Sequence, residues 1–476
     1  MSSEIPVKQV DPSSDTSDNN NKSGTVELYA SRKKIYVKEV KGFFQRIRNV
    51  SLLVLMGMYF LFTWITLDGQ PLVLFDLPAR EFHLYGMTFY PKDFFLLSGM
   101  LIVSAFGLFF ITALFGRVWC GYTCPQTVWT FIFMWVEERI EGSRNQRIKL
   151  DKLPQSSRKI MKKSLKHAAW LLIALATGLT FVGYFYPIRD LIADIFTFQA
   201  NGWAYFWVGF FTVATYLNAG WMREQVCLYM CPYARFQSVM LDPDTRVVSY
   251  DPNRGEPRGG RRKDAAPTER GLGDCIDCGQ CVQVCPTGID IRDGLQYECI
   301  GCALCIDACD EIMDKMDYPR GLIRYTTENE LEGRPSKLLR LRTLGYGVVL
   351  ALMIGAIVFV LATRIPAQLD ALRDRGALFS FNGEGRVENT YTLKIANMTE
   401  VPQTFLVSVS GMDDIRILTD TRITVDSGEN LALPTVVDVD PETIEQSNNT
   451  IRFRMSSETD RSLIVETESR FVGPNR

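Results

Sequence analysis

Eight cysteines in the middle of the chain form two runs that have the same spacing. The runs are Cys275-x2-Cys278-x2-Cys281-x3-Cys285 and Cys299-x2-Cys302-x2-Cys305-x3-Cys309. This is the spacing of a bacterial-type ferredoxin with two [4Fe–4S] clusters, in which the fourth cysteine of each run ligates the other cluster. The pattern therefore predicts one cluster on Cys275, Cys278, Cys281 and Cys309, and a second on Cys299, Cys302, Cys305 and Cys285.

The alternative interpretation of these runs is a pair of structural zinc sites. Zinc sites are built from two CxxC pairs rather than from a doubled three-plus-one pattern. Soft thiolates suit iron–sulfur chemistry, and closely spaced loop cysteines can wrap one cubane. The chain is therefore expected to move single electrons.

Composition limits the remaining classes of function. The 476 residues carry a formal net charge of −2, so bulk charge gives no reason to expect a nucleic-acid partner. Of the twelve cysteines, the four outside the two runs form two further pairs. Thiols that ligate clusters are not expected to form disulfides. Only two histidines are present, His83 and His167, which argues against a transmembrane b-type haem held by paired histidines.

Five apolar stretches are long enough to cross a bilayer, for which a helix needs about 20 residues. They cover residues 50–67, 94–115, 168–187, 203–222 and 344–363. Because none of the five contains a charged residue, transmembrane helices are favoured over buried helices of a soluble protein. A sixth apolar piece, 127–136, is too short to span and is interpreted as an interfacial or re-entrant helix.

Lysine and arginine are concentrated in alternate connections between these stretches. Basic residues precede the first stretch, fill the connection between the second and the third, and precede the ferredoxin runs, whereas residues 68–93 and 188–202 contain few. Cytoplasmic connections carry the excess of basic residues. The pattern predicts a multi-pass protein of the bacterial inner membrane, with the N-terminus and the ferredoxin in the cytoplasm and the C-terminal part in the periplasm.

The remaining segments are distinguished by their composition. Residues 1–30 are polar and rich in Ser, Asp and Asn, so disorder is expected there. Residues 31–250 form the membrane part. The Gly/Pro/Arg-rich segment 251–273 is predicted to be a linker that lets the ferredoxin domain, 274–317, move relative to the membrane part. Residues 318–343 return the chain to the bilayer.

Residues 367–476 are predicted to form an immunoglobulin-like β-sandwich. The candidate strands are 387–396, 405–409, 415–418, 431–439, 451–455 and 463–471. Several short alternating strands separated by turn residues are typical of such a sandwich. No catalytic constellation is visible in this segment, so an interaction or anchoring module is expected. The predicted fold class is a multi-domain membrane protein with five helical spans, a two-cluster ferredoxin domain and this all-β domain.

A second set of cysteines follows the second and fourth apolar stretches. The motifs are Cys120-x3-Cys124-Pro125, close to Arg117, and Cys227-x3-Cys231-Pro232, close to Arg223. Positions i and i+4 share one face of a helix, so each motif is expected to offer two thiols side by side. The proline can end one helix or begin the next. A helix N-terminus and an arginine are expected to lower a cysteine pKa and to favour the thiolate.

Paired thiolates at a membrane surface can bind several partners. They bind Cu(I), Zn(II) or an iron–sulfur cluster, or they cycle between dithiol and disulfide. The alternative is that four small residues serve helix packing. Met222 and Met230 lie near the second motif and His167 lies where the third stretch begins, but packing and interfacial roles are favoured over copper ligation for these three. The repeated motif also indicates that two halves of the membrane part are related.

The order of these features resembles the cytochrome c oxidase accessory proteins called CcoG, FixG or RdxA. The resemblance rests on the paired C-x3-C-P motifs, the doubled ferredoxin run, the last span and the outside β-domain, and it covers nearly the whole chain after residue 30. It implies reduction of Cu(II) to Cu(I) for a copper-exporting P-type ATPase, in support of oxidase assembly in Gram-negative bacteria. The implied partners are a cytoplasmic electron donor, that ATPase and oxidase assembly factors.

The resemblance also assigns residues. It places the copper chemistry on Cys120, Cys124, Cys227 and Cys231, which become the candidate catalytic and metal-binding residues. One departure is that Asp310, not proline, follows Cys309. This changes the surroundings of one cluster without removing a ligand.

Three functions are compatible with the sequence. The leading one is a cupric reductase, in which electrons pass one at a time from the clusters to copper at the four membrane thiols. The alternative is a quinol-linked subunit similar to the membrane ferredoxins of periplasmic nitrate reductases, a class that is not expected to carry the β-domain. The third is a non-enzymatic assembly scaffold whose clusters sense oxygen or iron.

Overall fold

The computed structural model describes residues 34–67, 70–263, 271–374, 378–399, 401–444, 446–460 and 463–474. The segment 1–30, for which disorder is predicted, lies outside these residues. The described chain forms a helical part, a central ferredoxin part and a C-terminal β-sandwich.

In the described residues up to 240, the helical part has nine α-helices of very different lengths. They are α1 Phe43–Leu61, α2 Phe94–Phe115, α3 Val118–Tyr122, α4 Pro125–Glu141, α5 Arg144–Lys152, α6 Ser157–Gly183, α7 Ile188–Phe196, α8 Gly202–Thr215 and α9 Pro232–Met240. Two π-helical segments, Tyr216–Met222 and Val226–Met230, lie between α8 and α9. A π-helical turn departs from the regular hydrogen-bond pattern and occurs frequently at functional sites.

Three of the described helices are long and apolar enough to cross a membrane: Phe94–Phe115, Ser157–Gly183 and Leu341–Ala362. The last of these helices precedes the β-domain. Helices 94–115 and 341–362 pack antiparallel, because a Cβ at Gly99 would lie 3.5 Å from Ile357 while one at Gly347 would lie 3.4 Å from Phe110. The three apolar helices correspond to the second, third and fifth predicted spans.

The other two predicted spans differ from the helices observed. The first, predicted at 50–67, corresponds to α1, which begins at residue 43 and ends at Leu61. The earlier start has a local cause: the carboxylate of Asp307 accepts the backbone N–H groups of Phe44 and Gln45 and so satisfies the first turn. The fourth, predicted at 203–222, is divided between α8 and the first π-helical segment. Five spans therefore remain a prediction.

The short apolar piece at 127–136 lies inside α4 and packs in the interior of the helical part. Phe133 of α4 is fully buried and stacks on Trp170 of α6, with ring centroids 5.3 Å apart. The Trp170 indole N–H also donates to the Phe133 carbonyl at 3.0 Å. Helix α4 is thus anchored on α6 directly after the first C-x3-C-P motif.

Two small antiparallel sheets follow α1. The first pairs β1 Thr66–Leu67 with β2 Gln70–Pro71, and the second has the order β3 Val73–Asp76, β4 Glu81–Leu84, β5 Met87–Phe89. This region contacts the C-terminal domain: the Tyr90 hydroxyl donates to the Gly428 carbonyl at 3.2 Å, and Arg364 pairs with Asp93 at 2.6 Å. The segment between these sheets and α2 therefore lies at the same end of α2 as the β-domain.

The other end of the helices carries the ferredoxin part. The Lys38 N–H donates to the Gln283 carbonyl at 2.8 Å, directly before α1. The segment before α1 and the ferredoxin therefore share one side, opposite the β-domain. The orientation of these two ends relative to a membrane stays a prediction.

The ferredoxin part extends beyond the predicted segment 274–317. It contains α10 Pro252–Gly255, α11 Gln280–Gln283, α12 Leu304–Met316, α13 Glu328–Leu331, and the antiparallel pair β6 Val247–Tyr250 and β7 Ile323–Thr326. Val248 and Ile323 of this pair are buried in one core with Cys275 and Cys281. The described linker residues pack on the same unit, since Arg254 pairs with Asp274 at 2.6 Å. Movement of the domain on this linker stays a prediction.

Helix α14, Leu341–Ala362, leads into the C-terminal domain. The strands are β8 Ala367–Arg373, β9 Ser380–Phe381, β10 Val387–Asn397, β11 Gln403–Ser410, β12 Arg416–Ile417, β13 Arg422–Val425, β14 Asn430–Val439, β15 Asn448–Ser457 and β16 Ile464–Val472. They form two sheets, one ordered β12-β14-β10-β8 with β9 beside β10, the other β13-β11-β15-β16. The predicted sandwich is confirmed.

The core of the sandwich lies between its two sheets. Tyr391 and Phe453 are fully buried, and their rings meet edge to face with centroids 5.1 Å apart. Such a pair stabilises by about 0.5–1.5 kcal/mol beyond its buried area. The Tyr391 hydroxyl donates to the Arg470 carbonyl at 2.9 Å, so its polar atom is satisfied in the core.

Candidate metal centres

Among the described residues, the ferredoxin part contains two cavities. The first is lined by Cys275, Cys278, Cys281 and Cys309, and the second by Cys285, Cys299, Cys302 and Cys305, with Cys281 also at its wall. The structure thus brings together the two sets of four that the spacing predicts. In each set, three cysteines come from one run and the fourth comes from the other.

Tight turns aim the cysteine loops at the cavities. Gly279 and Ala303, with φ of 62° and 58°, are the left-handed residues that precede α11 and α12. A left-handed alanine costs about 1–2 kcal/mol, so surrounding contacts must hold it. In the second loop, the Gly301 N–H donates to the Cys299 sulfur at 3.5 Å. Loop backbone is therefore already directed at a ligand sulfur.

The residues present fit two [4Fe–4S] clusters. Each cavity offers four soft sulfur ligands, and its other walls include apolar side chains such as Ile312 in the first cavity and Ile289 in the second. Burial raises the pKa of Cys281 to about 11 and the pKa values of Cys302 and Cys309 to about 12. Because ligation requires thiolates, loading the cavities with iron releases protons.

Asp310 replaces the proline expected after Cys309. Its carboxylate accepts the Gly321 N–H at 3.0 Å, which holds the turn after α12. Burial raises the pKa of Asp310, and the carboxylate in turn contributes to the raised pKa of Cys309, after burial and Cys281. The departure therefore adds negative charge beside the first cavity.

Each C-x3-C-P motif crosses a break between two helices. Cys120 lies in α3 and Cys124 is the N-cap of α4, whereas Cys227 lies in the second π-helical segment and Cys231 is the N-cap of α9. The expected i, i+4 pair on one helix is therefore wrong. Its cause is the proline, which lacks an N–H and begins a new helix at its first position in both motifs.

The hydrogen bonds at the two breaks are alike. The Cys124 N–H donates to the Trp119 carbonyl at 2.9 Å and the Cys231 N–H to the Val226 carbonyl at 2.8 Å, so each spans five residues. The two motifs therefore share a local geometry as well as a spacing. This supports the inference that the two halves of the helical part are related.

The four membrane thiols act on one another electrostatically. Burial, followed by Cys124, raises the pKa of Cys120 to about 12, and Cys227 and Cys231 add to this shift. Burial also raises the pKa of Cys227 to about 12. Arg117 opposes both shifts but is outweighed, so the expected lowering is wrong for these two cysteines. They are neutral thiols at pH 7 when no metal is bound.

Across the described ranges, no group of three or more His, Cys, Asp or Glu side chains is placed to hold a single metal ion. Binding one ion through all four membrane thiols would therefore require the side chains to draw together. The thiols are only partly buried, which leaves room for such a movement.

A buried polar network fixes one of these thiols. The Cys120 S–H donates to Gln237 Oε1 at 3.2 Å. The amide of Gln237 donates to the hydroxyls of Tyr233 at 2.7 Å and Thr112 at 3.2 Å, and the Gln237 side chain is fully buried. Sequence reasoning missed Tyr233 and Gln237. The two residues are four positions apart directly after the second motif, so a helix that begins at Pro232 places both on one face, and this spacing could have identified them.

The two histidines and Met230 have surroundings of their own. His167 bonds the Tyr216 hydroxyl at 2.8 Å through Nδ1 and packs edge-on against Trp170. Met230 is largely exposed. His83 lies on β4 at the opposite end of the molecule, beside Thr88.

The first thiol motif packs directly on the loop that lines the second cavity. Arg117 is buried and donates to the carbonyls of Tyr297 and Ala234, and also to that of Cys299 at 3.5 Å. The Tyr122 hydroxyl donates to the Cys302 carbonyl at 3.4 Å. The thiol site and one cluster cavity are therefore neighbours.

The contact is closest at Gly121 in α3. A Cβ at this position would lie 2.8 Å from the Gly301 carbonyl oxygen and 2.9 Å from the Cys302 Cα, so no larger residue fits without moving the loop. In the same region, Cys120 packs on the buried cluster of apolar residues that contains Cys302. Glycine here permits the close approach of two backbones.

Comparison with protein-family models finds two iron–sulfur domains in the chain. Residues 222–328 match a 4Fe-4S dicluster domain, and residues 97–139 match a 4Fe-4S binding domain. Residues 357–474 match the IG-like fold at the C-terminus of FixG. Together with the apolar helices, these matches define a membrane-associated iron–sulfur electron-transfer protein.

Relatives place the chain in one family. It is 40% identical over 422 residues to the nitrogen fixation protein FixG of Rhizobium meliloti (strain 1021), which covers 81% of this chain and 80% of that protein. Protein RdxA of Cereibacter sphaeroides is 40% identical over 403 residues, which covers 82% of this chain and 85% of RdxA. Protein RdxB of the same organism is 40% identical over 425 residues, which covers 86% of this chain and 89% of RdxB. The protein belongs to the FixG family.

A solved structure also matches part of the chain. The crystal structure of a FixG-related protein from Vibrio parahaemolyticus is 36% identical and covers 22% of this chain and 95% of that chain, with a TM-score of 0.21.

Proposed function

We propose that this protein is a cupric reductase that supports copper delivery for cytochrome c oxidase assembly. In this proposal, Cu(II) takes one electron at Cys120, Cys124, Cys227 and Cys231 and leaves as Cu(I). The observation that carries it is the packing of α3, which holds Cys120, on the loop of the second cavity. A [4Fe–4S] cluster, when bound, supplies electrons one at a time, which matches the single electron that Cu(II) requires.

The chain's own residues would do three things. The eight ferredoxin cysteines would hold the clusters in the two sets that line the cavities. The four membrane thiols would favour the product, because thiolate is a soft ligand that prefers Cu(I). Gln237, which accepts the Cys120 S–H, would hold that side chain in place until the thiol gives up its proton to bind the ion.

Copper titration of the anaerobically purified protein tests the proposal. The protein should contain about eight iron and eight sulfide per chain, since each cubane takes four thiolates. After reduction, addition of Cu(II) should reoxidise the clusters, one electron for each Cu(I) captured by a Cu(I)-specific chelator. Ubiquinone in place of Cu(II) is the control. Clusters that react with the quinone but not with Cu(II) would contradict the proposal.

A second candidate function rests on one finding. The 4Fe-4S binding domain matched at 97–139 contains Cys120 and Cys124, so the membrane thiols could hold a third cluster in a quinol-linked electron-transfer subunit. The iron content separates the two, because a third cubane would raise it to about twelve per chain. An assembly scaffold, the remaining alternative, would still support oxidase assembly after its cluster ligands are replaced.

For its location, we propose the bacterial inner membrane, with the ferredoxin in the cytoplasm near its electron donor and the copper-exporting ATPase. The support is the basic bias of the connections and the opposite positions of the ferredoxin and the β-domain. A phosphatase fused after Arg476 should be active, because that enzyme requires the periplasm. A β-galactosidase that is active at the same position would overturn this orientation.

A further inference from the structure

The two cluster cavities are not equivalent in their surroundings. Cys278 of the first cavity is exposed, whereas every cysteine of the second cavity is buried or half-buried. Beside Cys278, Asp277 is also more than half exposed on its side chain. The first cavity therefore has a face that a partner in solution can approach.

The second cavity is the one covered by the helical part. Its loop touches α3 at Gly121, and the Cys302 carbonyl accepts the Tyr122 hydroxyl. The first cavity is lined instead by residues of the ferredoxin part, among them Tyr250, Arg292 and Ile323. A route from solvent to the membrane thiols therefore passes the first cavity before the second.

Arg117 joins three segments at this contact. Its guanidinium donates to main-chain carbonyls of Tyr297 and Cys299, at the start of the second cavity loop, and of Ala234, three residues after Cys231. Arg117 itself stands three residues before Cys120. One buried side chain thus connects both thiol motifs to one cluster loop. Lysine cannot reproduce this, because it lacks the planar fork of five N–H donors.

We infer that the cluster in the second cavity, held by Cys285, Cys299, Cys302 and Cys305, delivers electrons to the membrane thiols. Electrons from a soluble one-electron donor reach the cluster of the first cavity beforehand. Arg117 is the positioning residue of the delivery step. The inference rests on the proposed function. In the delivery step, one reduced [4Fe–4S]+ cluster becomes [4Fe–4S]2+ and one Cu(II) becomes Cu(I), with no other change in charge.

The test of Arg117 is a single-turnover experiment on the full-length protein in detergent. Clusters are reduced with dithionite, the excess is removed, and one equivalent of Cu(II) is added while the visible absorbance of the clusters is followed. R117K should slow reoxidation by about tenfold or more, because a misplaced reacting partner costs that much in rate. Iron content and Cu(I) binding should stay at wild-type values.

The matched control is R254K. Arg254 also donates to two main-chain carbonyls, those of Pro319 and Arg320, but it lies away from the thiol motifs. Its reoxidation rate should equal that of the wild type. EPR of the reduced protein adds a readout that does not need copper: R117K should alter one of the two cluster signals. Equal rates for R117K and wild type, with unchanged spectra, would overturn the role of Arg117.

Ligand variants test the order of the two clusters. With dithionite as reductant, C278S should still transfer one electron to Cu(II), whereas C302S should transfer none, with EPR identifying the cluster that remains. With reduced flavodoxin as a protein-sized donor, C278S should also fail. Transfer by C302S and not by C278S would reverse the order. If Cu(II) does not reoxidise the wild-type clusters, the proposed function fails. The position of Arg117 beside the second cluster is then tested by EPR alone: the cluster signal altered in R117K should be the one that is absent in C302S, and a change in the other signal would contradict the inference.

Discussion

A variant with serine at Cys120, Cys124, Cys227 and Cys231 is expected to lose copper binding and Cu(II) reduction while it keeps both ferredoxin clusters. Serine is nearly isosteric with cysteine, but its oxygen is a hard and weak ligand for Cu(I). The four positions are only partly buried, so packing should largely survive. Copper bound after dialysis and the rate of cluster reoxidation by Cu(II) measure the two losses.

Removal of the clusters provides the control, because it should give the opposite pattern. A protein with serine at Cys302 and Cys305 should still bind Cu(I) at the membrane thiols but should not reduce Cu(II) by electrons from that cavity. Loss of the ferredoxin clusters from the four-serine variant would make the membrane thiols structural or cluster ligands. A normal rate of Cu(II) reduction in that variant would show that copper meets the electrons elsewhere.

The cluster cavities and the sandwich were predictable because their signals are local. Ligand spacing in a ferredoxin run fixes which loop cysteines can reach one cubane, and both sets meet at the predicted cavities. Alternation along 387–397 places Val387, Tyr391 and Leu393 in the core of the sandwich. Strands β8, β9 and β13 were missed. β8 begins only five residues after the end of α14, and β9 and β13 are two and four residues long.

The geometry of the thiol site was not predictable from its spacing. A C-x3-C pattern matches one helical face, but the proline after each second cysteine starts a new helix there. The pKa prediction failed because it counted the arginine and not burial, which is the larger effect at Cys120 and Cys227. The role of Arg117 depends on carbonyls about 180 and 117 residues away, and no local pattern records such contacts.

A buried group of charges is formed by residues that lie, in sequence, between the two thiol motifs. Glu137 of α4 is almost fully buried, and its Oε2 accepts a hydrogen bond from Arg223 Nη2 at 2.7 Å. Arg223 stands four residues before Cys227. Lys166 of α6 lies 3.9 Å from Glu137 Oε1. Burial raises the pKa of Glu137, but Arg223 and Lys166 outweigh it and hold the pKa below its ordinary value. Glu137 therefore compensates Arg223, whereas it shares Lys166 with Glu141, whose Oε1 lies closer, at 3.0 Å.

E137Q is expected to destabilise the helical part strongly. It leaves Arg223 and the buried Arg147, 3.7 Å away, without this carboxylate, whereas Lys166 keeps Glu141 at 3.0 Å. Breaking a buried ion pair from one side costs about 3–5 kcal/mol. The matched control is E138Q, one residue along the same helix. Burial and the Glu39 carboxylate raise the pKa of Glu138, so neutralising it removes an unfavourable charge. Thermal unfolding in detergent should show a much lower midpoint for E137Q and little change for E138Q.

The stability difference between wild type and E137Q should also depend on pH. Because the pKa of Glu137 is lower in the folded protein, its contribution is complete above the ordinary value of 4.5 and is lost as the pH falls through the folded value. The stability gap between wild type and E137Q should therefore be wide at pH 7 and should narrow as the pH falls below 4.5. A gap that stayed constant would show that Glu137 acts through packing rather than charge. Equal midpoints for E137Q and E138Q at pH 7 would show that Arg223 is held by its other partners, such as the Gly220 carbonyl at 2.9 Å.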